Sequence, residues 1–159
     1  MSELIVAGFD DVHTAYLVRA ALARMQGDVE LEGNGVAVVH RRDASTVAVR
    51  EAIDLSSEGE LNEAFWRSLM GLLFRPALSP SEDAAPDVPE QLAAIGIDAS
   101  FMAGVARRVP PGTLAVFVIA SETSRDRLIG ILQGFGAAIT RTRLIGDDRT
   151  IWMDRLSGG

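Results

Sequence analysis

The sequence predicts an α+β sandwich made from two copies of a strand-helix-strand unit, and three observations predict it. Two short runs, Leu4–Phe9 and Leu114–Ile119, are apolar throughout, which is the signature of strands buried on both faces. Each is followed by a polar cap, an amphipathic stretch and a glycine stop, and laying Leu17 on Leu128 also lays Ala21 on Leu132, an offset of 111 residues. Residues 54–113, between the two units, differ in character and hold acids and prolines. A duplicated strand-helix-strand unit is the pattern of a ferredoxin-like sandwich, whose first and third core strands lie at the centre of the sheet. The two most apolar strands are therefore expected there, with a helical insertion between the halves.

Taken in order, Leu4–Phe9 hands over through Asp10-Asp11, an acidic cap, to a helix from about Val12 to Met25. Its expected apolar stripe is Leu17, Val18, Ala21, Leu22 and Met25, and Gly27-Asp28 stops it. Gly35–His40 and Thr46–Glu51, joined by Arg41–Ser45, read as a hairpin that extends one edge of the sheet. Ser56–Glu60 introduces a helix over 61–74 in which apolar residues cover more than half the circumference, and Arg75-Pro76 ends it. Residues 76–90 hold four of the six prolines with Ser, Glu and Asp, the composition of an exposed linker. Two short helices follow, over 89–94 and 99–107, the second with Arg107 and Arg108 at its C-terminus, where the helix dipole favours cations. Pro110-Pro111-Gly112 turns the chain into Leu114–Ile119. Ser121–Ser124 then cap a helix carrying Leu128, Ile131, Leu132 and Phe135, closed by Gly134 and Gly136. Ala138–Leu144 is a last strand, and after the turn at Gly146-Asp147-Asp148 the piece 149–156, with Ile151 and Trp152, fits strand or helix. The 159 residues thus make one domain: a first half over 1–53, an insertion over 54–113 and a second half over 114–159.

Composition removes several chemistries. There is no cysteine, so disulfides, thiolate metal sites and a cysteine nucleophile are excluded. All fifteen basic residues are arginine, which excludes a Schiff-base or P-loop lysine. A net charge of −7 argues against nucleic acid as a partner. The charge is uneven: residues 54–98 carry nine acids against two arginines, whereas residues 99–159 carry five against eight. The longest uncharged runs, Val109–Ser121 and Leu128–Thr140, have thirteen residues each, short of the ~18 that a spanning helix needs. With Met1-Ser2-Glu3 leading straight into an apolar strand, no secretory signal is read, and a cytoplasmic location is expected.

Candidate chemistry is sparse. Asp10, Asp11 and His13 cluster after the first strand, and His40 lies on the second; two carboxylates and two imidazoles could hold a divalent metal or work as an acid–base pair. Helix capping accounts for both aspartates without chemistry, so no catalytic or metal residue is assigned and no cofactor is expected. A small ligand could bind at either strand–helix edge, near Asp10, Asp11 and His13 or near Ser121. No nucleophile elbow, phosphate loop or dinucleotide fingerprint is present: Gly8 is isolated, and Gly130, Gly134 and Gly136 lie in or after a helix instead of opening one.

The face Phe65, Trp66, Leu69, Met70, Leu73 and Phe74 has two readings. It covers the open face of the sheet, or part of it forms a symmetric homodimer interface bracketed by Arg67 and Arg75.

Four segments carry a family resemblance: Glu3–Asp11; Glu63-Ala64-Phe65-Trp66 with Met70–Phe74; Ile95-Gly96-Ile97-Asp98 before Phe101; and Leu132–Ala137. Together, and in this order, they resemble the bacterial domain of unknown function 1269. Members of that family are labelled membrane proteins because a long glycine- and alanine-rich apolar hairpin follows the Phe-Trp segment. This chain has Pro, Ser, Glu and Asp from Arg75 onward instead, so the resemblance implies a relative without the membrane hairpin, and it carries over no activity. With apolar resources plentiful and catalytic ones scarce, the first expectation is a non-catalytic structural or regulatory module that forms homo-oligomers. A small-ligand sensor is second, and an enzyme using Asp10, Asp11 and His13 third.

Overall fold

The computed structural model describes residues 3–9, 12–24, 35–43, 47–54, 63–74, 90–121 and 125–144. The elements run β1 (Glu3–Phe9), α1 (Val12–Ala23), β2 (Gly35–Arg41), β3 (Val47–Asp54), α2 (Glu63–Leu73), α3 (Glu90–Ala94), α4 (Ala99–Arg108), β4 (Leu114–Ala120), α5 (Arg125–Gly134) and β5 (Ala138–Arg143). Asp10 and Asp11, most of the linker 76–90 and the piece 149–156 lie outside the described residues.

The strands form one antiparallel sheet in the order β3-β2-β4-β1-β5, so β4 and β1 each have a strand on both sides, where their apolar sequences place them. Every residue of both is buried. An antiparallel sheet usually leaves one face to water, but here both faces are covered, so neither strand can afford a polar side. One face carries α1 and α5 over Ile5, Ala7, Val36, Val38, Val116 and Val118. The other carries the helices of the insertion, with α2 over β3 and α4 over β5 and β1, and buries Leu4, Val6, Ala37, Val39, Phe117 and Ile119. The hairpin β2–β3 extends one edge as expected, with a register shift between Val38 and Val39.

Local chemistry sets the ends of the helices. Asp98 caps α4 by accepting the Phe101 N–H at 2.8 Å. The glycines of two family-like phrases are helix stops. Gly96 and Gly136 stand at φ 97° and 80°, and the pairs Gly96 N–H to Ala93 O with Ile97 N–H to Leu92 O, and Gly136 N–H to Gln133 O with Ala137 N–H to Leu132 O, close Schellman motifs after α3 and α5.

The stripe expected on α1 is turned. Val18 is buried, but Leu17 is 46% exposed beside Tyr16 at 44%. The strands β1 and β4 keep the offset of 111, whereas α5 starts two residues later than that offset from Val12 requires. Leu128, which that offset lays on Leu17, is buried, so α1 and α5 face the sheet out of step: of the expected stripe Val18 takes the inward place, one residue or about 100° round the helix from Leu17.

Candidate functional site

The six residues read as sheet cover or interface are all inside the chain. Phe65, Trp66, Leu69 and Met70 are at most 1% exposed, and Leu73 and Phe74 are buried too. Phe65 meets Trp66 edge-on at 5.5 Å, and Phe74 meets Phe117 of β4 at 6.3 Å, so the face packs on the second side of the sheet. The Trp66 indole N–H is buried without a hydrogen-bond acceptor among the described residues.

The ligand candidates separate to the two ends of the sheet. Ser121 follows Ala120, which pairs with Glu3, whereas His13 follows Phe9, which pairs with Leu114. The seven residues of β1 put roughly 20 Å between these ends. They are therefore two separate places. At the Ser121 end, half-buried Ser121 accepts the Arg125 N–H through its backbone oxygen at 2.9 Å. Beside it the buried Glu3 carboxylate pairs with the Arg125 guanidinium at 3.2 Å and with Arg141 at 4.0 Å. Arg125 also meets Asp126 at 3.3 Å, so two carboxylates face two guanidinium groups and the corner is a structural ion cluster.

The other end is richer than its sequence suggested. Phe9, Leu114 and His40 lie in one row across β1, β4 and β2, so His40 and the start of α1, with exposed His13, share this end. The Nδ1 atom of His40 is buried without a hydrogen-bond partner among the described residues. Arg41, next in the chain, donates through one Nη to the carbonyls of Ala106 at 3.2 Å and Val109 at 2.8 Å, residues 65 and 68 positions away. Its guanidinium carbon stands 5.0 Å from the Phe74 ring centre. Its backbone N–H donates to Thr113 O at 3.0 Å, and Gly112 N–H donates to its carbonyl. Burial pulls the Arg41 guanidinium below its ordinary pKa, and Asp43 pulls it partly back.

Arg41 thus staples β2 to the C-terminus of α4, and the two Arg-Arg pairs, Arg41-Arg42 and Arg107-Arg108, converge. Arg42, Arg107 and Arg108 are exposed there, beside exposed Pro110, Pro111 and Gly112. Each pair had a local explanation, turn or helix end, and nothing in the sequence joined them.

A shallow groove of about 260 Å³ lies between β3 and α2, lined by Val47, Ala48, Val49, Met70 and Gly71 with Arg67. Among the described residues no three His, Asp or Glu side chains gather as a metal would require, and no helix is long and apolar enough to cross a membrane.

No curated protein and no solved structure matches the chain. A family model described as Protein of unknown function (DUF1269) matches residues 60–156, from just before α2 to beyond β5, leaving the Glu3–Asp11 phrase outside the matched span. The match covers more than half of the sequence, and the chain belongs to this family of unknown function.

Proposed function

We propose that the chain is a ferredoxin-like sandwich acting as a non-catalytic module that self-associates through the outer face of α1. The order β5-β1-β4-β2, with α1 and α5 on one face, supports the fold, with β3 an added edge and α2 to α4 the insertion that covers the other face. The observation that carries the functional reading is the adjacent pair Tyr16 and Leu17, the large apolar side chains left exposed among the described residues. Exposed aromatic and aliphatic side chains side by side are the material of interface centres. The face of α2 does not serve, because its six apolar side chains already fill the core.

Sedimentation equilibrium tests this. Wild type is expected to associate at tens of micromolar, and Tyr16→Ser with Leu17→Ser to weaken association at least tenfold without lowering the melting temperature. A monomeric wild type overturns the reading. A melting-temperature rise with an organic metabolite or a divalent ion in a thermal-shift panel would replace it with the sensing or the enzymatic alternative.

A further inference from the structure

We propose that the arginine-bearing end of the sheet docks the acidic stretch 54–98 of a second copy of this chain; the inference rests on the self-association reading and names its second contact. Arg41 is held by the carbonyls of Ala106 and Val109 at the C-terminus of α4. It thereby covers the negative pole of that helix, which would otherwise offset the charge of Arg107 and Arg108. Those two and Arg42 project at an open tip, all three exposed, with Pro110-Pro111-Gly112 beside them and Asp43 as an exposed neighbour. Among the described residues the tip encloses nothing, and a single exposed ion pair contributes little, so a small anion gains little there. A partner with several carboxylates on one chain sums the weak pairs.

The chain holds such a partner in its own sequence. Residues 54–98 carry nine acids against two arginines, including Glu82, Asp83, Asp87 and Glu90, with no basic residue between Arg75 and Arg107. In a two-fold dimer each copy would offer both surfaces, so the contact is made twice. Nucleic acid, the other polyanion that an arginine tip could take, is opposed by the overall charge of −7.

The test compares the full-length wild type with a triple variant, Arg42→Glu, Arg107→Glu and Arg108→Glu, and with Glu82→Arg, Asp83→Arg and Asp87→Arg. Each is followed by sedimentation velocity at low salt and in about 0.5 M NaCl, where screening shortens to a few ångström. Each charge variant alone is expected to associate at least tenfold more weakly than wild type at low salt, an equimolar mixture of the two to recover association, and high salt to weaken the wild type. Arg→Gln at the same three positions serves if the Glu variant melts early. Wild type and triple variant associating equally would overturn the docking surface and leave self-association standing. A wild type monomeric throughout would overturn both. Co-purifying nucleic acid, or retention by anionic vesicles, that the triple variant loses would reassign the tip to another anion.

Discussion

Gly8 sits in a row of small residues, between Ala115 of β4 and Ala138 of β5, and the last turn of α4 comes down on that row. A Cβ at Gly8 would run into the Arg108 carbonyl oxygen, a backbone atom that cannot swing aside. Gly8→Ala is expected to destabilise the fold by about 1–3 kcal/mol in urea denaturation, as overpacking does. Gly71, on the exposed side of α2, has no described atom within 4 Å of where an added methyl would stand, so Gly71→Ala is expected to stabilise by roughly 0.5–1 kcal/mol through helix propensity. The same substitution with opposite signs checks the packing at both sites, and equal effects would refute it. Trp66 supplies a second contrast. Its ring is fully buried but its N–H lacks an acceptor among the described residues, an unmet donor that costs about 1–3 kcal/mol. Trp66→Phe, which removes both the donor and some volume, is expected within about 1 kcal/mol of wild type, and Trp66→Ala about 3–5 kcal/mol below it.

At the scale of elements, α1 and α2 exchange the roles that their compositions advertise. The α2 face looks greasy enough for a partner, yet its side chains reach the sheet's second side, while α1 keeps Tyr16 and Leu17 outside. Adding a charge therefore separates the helices: Leu17→Glu is expected to leave stability within about 0.5 kcal/mol, as exposed sites do. Leu69→Glu is expected to abolish the cooperative melt, because it buries an unpaired carboxylate. A Leu17→Glu variant that unfolds would place α1's outer face in the core. This contrast also marks what was legible in the sequence. Runs such as Leu4–Phe9 and caps such as Asp98 depend on neighbours a few residues away, so pattern alone located them. The facing of α1 turns on one residue, Val18 inward and Leu17 outward, a difference that periodicity does not resolve. Glu3 with Arg125 and Arg141, and Arg41 with Ala106 and Val109, depend on registers between strands and helices far apart in the chain. No spacing rule reaches those pairs, so the candidate site changed while the sheet did not.

For the whole molecule, the order of the strands fixes an order of local stability. The centre of the sheet is made from β1 and β4, one from each half of the chain, so it closes only when both halves and the helices on either face are in place. Their amides, sealed between two helical layers, are expected to exchange with solvent only through global unfolding. The edge strands are differently placed. Half-buried or exposed residues run the length of β5, and the described side chains of β3 are likewise half-buried or exposed, so both can open while the centre holds. Native-state hydrogen exchange is expected to give β4 and β1 the full unfolding free energy, β2 slightly less, and β3 and β5 values lower by about 1 kcal/mol or more. The Arg41 staple sharpens this prediction, since it ties the end of β2 to α4 on the far face and to Thr113 at the start of β4. Arg41→Met should therefore lower protection in β2 and at the C-terminus of α4 together, leaving β5 unchanged. Loss confined to β2 would mean that the two Arg-Arg pairs are neighbours without being coupled, and the open tip would then lack the rigid base on which its three exposed guanidinium groups stand.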